Sequence, residues 1–186
     1  FLPRRLFIND QQNKTLLMPA FFEDLYSAKV IGIAPDNYKK GEPTLRGIIA
    51  LFKRETMEPL LLLDASSITA IRTGAISGLS IQYLAKSEAS IAGIIGTGDQ
   101  GWSHLQAVCE IRPIKKVLLN NRSQEKLELF INRAKDKYPE ITFIKSAPHQ
   151  ILEDAEIIIT TTTSMTPVLP DTNGISLAGK HIVGAG

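Results

Sequence analysis

Three glycines, in the run Gly96-Thr97-Gly98-Asp99-Gln100-Gly101, have the spacing of a loop that cradles a dinucleotide pyrophosphate. In such a loop the first glycine permits a tight strand-to-helix turn. The second lets the phosphates approach the backbone, and the third lets the helix pack closely on the strand. The phosphates would sit on the positive end of a helix beginning near Gln100. A glycine turn of purely structural use has the same spacing, so context decides. Here the apolar run Ile91-Ala92-Gly93-Ile94-Ile95 leads in, Trp102, Leu105, Val108 and Cys109 follow at helical spacing, and a second buried-strand pattern, Val117-Leu118-Leu119, comes next.

The end of that second strand bears on which dinucleotide binds. An acid about 20 residues past the glycines accepts the ribose hydroxyls of NAD, whereas a basic residue there accommodates the 2'-phosphate of NADP. The chain has Asn120-Asn121-Arg122-Ser123 and no acid. Arg122 is placed to stack on the adenine or pair with the phosphate, with Asn121 and Ser123 donating hydrogen bonds. The plainer alternative makes Ser123 the N-cap of the next helix and Arg122 a solvated side chain. NADP(H) is favoured, with NAD(H) as the alternative.

These residues need a scaffold, and the chain changes texture near Lys86 to Ala89. Before it, short apolar runs at Leu6 to Ile8, Thr15 to Met18, Lys29 to Ala34, Gly47 to Phe52 and Pro59 to Leu63 read as strands. A long helix follows, with Ile68, Ile71, Ala75, Leu79 and Tyr83 expected on its packed face and Ser66 or Ser67 as its N-cap. After Ile91 strand and helix alternate: a helix over Gln124 to Tyr138, a strand Ile141 to Ile144, a short helix near Pro148 to Glu153, and strands Glu156 to Thr161 and Lys180 to Val183. Alternation of this kind predicts a parallel sheet with helices on both faces. The expected fold class is α/β, with residues 1–88 a mixed, sheet-rich domain plus connecting helix and residues 89–186 a Rossmann-type domain.

At 186 residues, with 44% hydrophobic and 22% charged, the chain has enough apolar material for one large domain or two small ones. A net charge of +2 with scattered basic residues gives no reason to expect nucleic acid or a membrane surface as partner. No secretory signal or membrane span is legible, the single Cys109 excludes an internal disulfide framework, and the cytoplasm is the expected location. His104, His149 and His181 lack metal-ligand spacing, so no metal is expected. The first residue is Phe1, and Ile182 to Gly186 reads as a strand entering a turn, so both ends look cut and the chain reads as part of a longer protein.

The run Ile68-Thr69-Ala70-Ile71-Arg72-Thr73-Gly74-Ala75-Ile76-Ser77, ahead of Gly96-Thr97-Gly98-Asp99-Gln100, strongly resembles the ornithine cyclodeaminase/mu-crystallin family. Leu17-Met18-Pro19-Ala20, Ala28-Lys29-Val30, Pro35-Asp36-Asn37, Ala155 to Thr162, Pro167-Val168-Leu169 and Gly179-Lys180-His181-Ile182 agree in order, so the resemblance spans essentially the whole chain. It implies a Rossmann domain inserted in a sheet-rich substrate and dimerisation domain, a homodimer, and hydride exchange between a nicotinamide and the Cα of a small amino or imino acid. The leading expectation is a ketimine reductase or amino acid dehydrogenase. The alternatives are an ornithine cyclodeaminase, converting ornithine to proline and ammonia, and a non-catalytic NADP-dependent small-ligand binding protein.

The same resemblance assigns roles. Arg72 matches the family's carboxylate-binding arginine, a role suited to its planar fork; outside the motif it would read as a surface ion-pair residue. Lys29 matches the active-site lysine that contacts substrate and relays a proton at the reacting carbon, against a plain reading as an edge-strand lysine. Arg4 or Arg5 fills the second carboxylate-binding position near the N-terminus. Thr73 and Ser77 would face the glycine loop from a regular helix, and Thr161 and Thr162 lie at the carboxyl end of a parallel strand, where open α/β sheets bind ligands. Two departures matter. Leu16 stands where cyclodeaminases carry an acid for the far amine, which disfavours ornithine, and the family's catalytic aspartate is expected beyond Gly186, so the chain by itself is expected to be inactive.

Overall fold

A computed structural model describes residues 3–172 and 174–185. Phe1 and Gly186, on which the reading of cut ends partly rests, lie outside them. The chain divides into two compact units, Phe1–Thr69 and Ala70–Gly186.

The first unit is an antiparallel meander of β1 (Leu6–Asp10), β2 (Asn13–Phe22), β3 (Leu25–Ile33), β4 (Leu45–Lys53) and β5 (Pro59–Asp64), paired in sequence order. Each of the five runs read as strands is one. Turns at Gln11 and Glu23, both at positive φ, reverse the chain between the first three strands. A 3₁₀ turn, Pro35–Lys40, bridges β3 and β4. Because side chains alternate across a strand, the register gives the sheet two distinct faces. Leu16, Met18, Ile31, Ile49 and Leu63 share one face and form a small core with Ala65 and Ile68. Leu6, Leu17, Val30 and Ile48 share the other, where Ile48 stays 47% exposed.

The helix α1 (Ala65–Leu84) departs from expectation at its start and on its face. Asp64, not Ser66 or Ser67, caps it: the Asp64 carboxylate accepts from the Ser67 N–H at 2.7 Å. That hydrogen bond, with others from Ser66 and Ser67, holds the Asp64 carboxyl below its ordinary value. Of the apolar residues expected on the packed face, Ile68 joins the core of the first unit, but Ile71, Leu79 and Tyr83 are exposed. Ile71 is 66% exposed and Tyr83 78%, while Gly74, Ser77, Gly78 and Ile81 are buried. The reason is close approach. A Cβ on Gly74 would lie 2.7 Å from Ser103 O, and one on Gly78 2.7 Å from the Ile111 side chain.

The second unit is a parallel sheet in the order β10-β9-β6-β7-β8, from β6 (Ile91–Ile95), β7 (Lys116–Asn120), β8 (Thr142–Lys145), β9 (Ile157–Thr160) and β10 (His181–Gly184). The strand order reverses at β6, which lies between β9 and β7. Its other helices are α2 (Asp99–Ile111), α3 (Gln124–Lys137) and α4 (Pro148–Asp154). The helices cover both faces, as the alternation predicts. Leu105, Val108, Leu127, Phe130 and Ile131 pack with Ile94, Leu119 and Ile159 on one side, and Ile151 and Leu152 pack with Leu118 and Ile158 on the other. Arg112 closes the free end of α1 by donating to the Ile81, Gln82 and Ala85 carbonyls, groups a helix C-terminus leaves without partners.

Candidate functional site

At the carboxyl end of β6 the chain turns into α2 through Gly96, and the geometry explains each glycine separately. Gly96 has φ +105, and a Cβ there would meet Thr161 O at 2.7 Å, so a side chain is excluded twice over. A Cβ on Gly101 would lie 2.2 Å from Gly96 O, so only glycine lets α2 descend onto the turn. A Cβ on Gly98 would meet nothing within 4 Å. Its glycine answers no internal contact, and a side chain there would instead project toward whatever approaches the loop. Gly98 is also the N-cap of α2 with no side-chain hydrogen bond to the helix, so the first-turn N–H groups are not satisfied by a capping side chain.

Neighbouring strand ends brace the turn. The Thr161 hydroxyl donates to Gly96 O at 2.9 Å, and Asn121 Oδ1 accepts from Thr97 N at 3.5 Å. Gly96 N donates to Asn120 O at 2.9 Å. Two buried polar atoms of this loop, Thr97 Oγ1 and Gln100 Oε1, have no hydrogen-bond partner among the described residues. Unpaired buried polar atoms are costly in a folded chain, and both belong to this loop. An open approach at Gly98, an uncapped helix start and the unpartnered Thr97 hydroxyl, which is free to donate, fit a pyrophosphate-bearing ligand.

Ser123 and Arg122 behave as the plainer alternative supposed in one respect. Ser123 is the N-cap of α3, accepting from Lys126 N at 3.3 Å, and Asn121 Nδ2 donates to Ser123 O at 3.1 Å. Both are spoken for by that turn, whereas among the described residues the Arg122 guanidinium makes no hydrogen bond to it. Asp99 opens α2 as its first-turn acid. Beyond β9, Thr162 lines a hollow of about 470 Å³ together with Thr160, Ser164, Met165, Pro167 and Leu169. Of these residues, Thr162 alone is expected at the site from the sequence. The cue was there: small polar residues running from the strand end to Pro167 describe a loop at the ligand-binding edge of the sheet.

Lys29 lies in the first unit. It pairs across the sheet with Met18 and Ile49, so its ammonium emerges among apolar neighbours, and Nζ donates to Thr69 Oγ1 at 2.5 Å. The Thr69 hydroxyl in turn reaches Ala65 O at 2.5 Å. Arg72 is exposed on α1 in the second unit, with Thr73 half-buried beside it, and Arg4 and Arg5 are exposed ahead of β1.

Three polar side chains are absorbed by packing. His104 is fully buried between Ser77 and Gln100 O, and desolvation holds its pKa below the ordinary 6.5. Cys109 is half-buried, and burial pushes its thiol up to about 12, so it serves packing rather than nucleophilic chemistry. His181 bonds Ser80. Among the described residues no three His, Cys, Asp or Glu side chains gather into a metal-binding group, and no helix is long and apolar enough to cross a membrane.

The family model for the ornithine cyclodeaminase/mu-crystallin family matches residues 3–186. The Delta(1)-pyrroline-2-carboxylate reductase of Bacillus cereus is 36% identical over 179 residues, covering 95% of this chain and 54% of the relative. The structure of the Thermococcus litoralis Delta(1)-pyrroline-2-carboxylate reductase in complex with NADH and L-proline superposes with a TM-score of 0.90 at 36% identity, over 98% of this chain and 57% of that one. An archaeal alanine dehydrogenase dimer with bound NAD gives a TM-score of 0.89 at 27% identity, over 98% and 55%. The chain thus spans about half the length of the curated relatives it matches.

Proposed function

This chain belongs to the ornithine cyclodeaminase/mu-crystallin family, and from that premise we propose that its protein is an NAD(P)-dependent oxidoreductase acting at the α-carbon of a cyclic imino acid. The carrying observation is the loop at Gly96–Gly101, whose open Gly98, uncapped helix start and unpartnered Thr97 hydroxyl suit a dinucleotide pyrophosphate. Similarity to reductases of Delta(1)-pyrroline-2-carboxylate supports the substrate class.

The nicotinamide, when bound, supplies or accepts the hydride. The chain's own residues bind and orient. Gly96, Thr97, Gly98, Asp99 and Gln100 hold the pyrophosphate, and Asn121, Arg122 and Ser123 face the adenosine ribose. Thr161 and Thr162 border the nicotinamide end of the crevice, with Thr73 supporting the phosphates. Arg72 forks the substrate carboxylate, joined by Arg4 or Arg5. Lys29, held by Thr69 among apolar side chains, contacts the imine and moves a proton there. Leu16, packed with Ile31 and Ile49, offers hydrocarbon rather than a carboxylate and so suits a ring without a far amine, which disfavours ornithine. NADP(H) is the preferred cofactor on the strength of Arg122, the assembly is a homodimer, and the location is cytoplasmic.

The test is steady-state oxidation of NADPH and NADH by the full-length protein with Delta(1)-pyrroline-2-carboxylate as acceptor. Turnover with the imine is expected; tight dinucleotide binding without turnover of any cyclic imine would overturn the reductase reading and leave a binding protein.

A further inference from the structure

The helices α1 and α2 meet through glycine and small residues, yet one fully buried polar pair sits in the middle of that contact. Ser77 Oγ lies 2.9 Å from His104 Nε2, and His104 Nδ1 lies 2.6 Å from Gln100 O. Both side chains are buried, His104 completely. The roles of the two ring nitrogens follow from the partners. A carbonyl only accepts, so Nδ1 carries the proton and donates to Gln100 O. Nε2 of the neutral ring then accepts the Ser77 hydroxyl proton. Every polar atom of the pair is satisfied, and each bond fixes a different thing: one ties the ring to its own first turn of α2, the other ties that turn to α1.

The position of the pair gives it a job that an apolar contact would not do. Gln100 belongs to the glycine loop, and Ser77 lies one helical turn after Arg72 and Thr73. Hydrophobic contacts tolerate sliding, whereas a hydrogen bond between two buried groups has one register. Gly74 against Ser103 and Gly78 against Ile111 allow the helices to touch but set no unique offset between them. The geometry points to Ser77 and His104 as positioning residues that lock the Arg72–Thr73 turn of α1 to the phosphate loop at Thr97–Gln100, so that dinucleotide and carboxylate are held in one frame. Such a role presupposes that the loop binds a dinucleotide, as proposed above. On the opposite flank Ser80 donates to Ser77 O at 3.0 Å, and its oxygen meets His181 Nε2 at 3.1 Å, tying the same turn of α1 to β10.

The experiment uses the full-length protein and three variants: Ser77→Ala, His104→Asn and the double substitution. Asparagine keeps an N–H near Nδ1 for Gln100 O and removes the acceptor for Ser77. Dissociation constants for NADH and NADPH come from fluorescence titration, KM and kcat from imine reduction, and Tm from thermal unfolding. Each single variant should weaken dinucleotide binding and raise KM by roughly three- to tenfold, the range one buried hydrogen bond supplies, with kcat changed less. The double variant should be no worse than the weaker single one, because the two residues act as a unit. A fall in Tm with unchanged dissociation constants and KM would make the pair merely structural and overturn the role, as would fully additive effects. Should Ser77→Ala fail to fold, His104→Asn carries the same comparison. A wild-type protein that binds neither dinucleotide would instead overturn the cofactor reading.

Discussion

Arg122 lies two residues beyond the end of β7, at the position where a dinucleotide fold chooses between a ribose hydroxyl and a 2'-phosphate. Its neighbours narrow its role: Ser123 is occupied as the cap of α3 and Asn121 is bonded to Thr97 N and Ser123 O, so discrimination falls to the guanidinium. Arg122→Asp in the full-length protein should therefore weaken NADPH binding about tenfold or more while leaving NADH little changed, as loss of a charge-assisted bond implies. Fluorescence titration reads both constants; an unaltered NADPH constant would remove Arg122 from the phosphate site. At this scale the glycine loop was legible because Gly96 and Gly101 answer local demands, a positive φ and a close approach, that sequence spacing encodes. His104 was not legible. Its partner Ser77 is 27 residues away, and nothing in the local pattern distinguishes a buried helix histidine from a solvated one.

Among the elements, α1 shows why strands were read more accurately than the long helix. Each strand of the first sheet follows from apolar runs bounded by turn residues, a signal that local composition carries. The packed face of α1 does not, because periodicity arguments weigh large apolar side chains, whereas this helix is buried through Gly74, Ser77 and Gly78, which permit contact by being small. The two histidines flanking that face carry a consequence for stability. Burial depresses His104, and burial with the nearby Arg112 charge depresses His181, so both are protonated more readily in the unfolded chain than in the folded one. Stability is therefore complete above the ordinary value of 6.5 and is lost as pH falls through the lower folded values. Urea unfolding at pH 7.5 and pH 5.5, about one unit either side of an unperturbed histidine, should show a smaller unfolding free energy at the acid value. His104→Asn should flatten that difference, and an identical pH slope in the variant would show that His104 does not contribute to it.

At the scale of the whole molecule, the second face of the antiparallel sheet matters most. Its register places Leu6, Leu17, Val30 and Ile48 in one row, with Leu62 two positions from Asp64 on the same side, and Leu62 is 67% exposed. A contiguous apolar row on a sheet is a surface that soluble proteins seldom leave to water. The homodimer proposed above would bury it against its counterpart in a second copy. A two-fold contact is self-complementary, so the same apolar row is presented by both copies. The chain covers about half of its curated relatives, and the measurement separates a second copy from further sequence of the same polypeptide. Light scattering on the full-length protein should give the mass of two copies. Ile48→Glu should convert it to one copy with the first sheet still folded by circular dichroism, since a carboxylate buried without a partner in an apolar contact opposes association by about a hundredfold or more. A wild-type monomer would assign the row to the rest of the polypeptide, and in that case Ile48→Glu would lower Tm instead of mass, because the lost contact would be one of folding rather than of assembly.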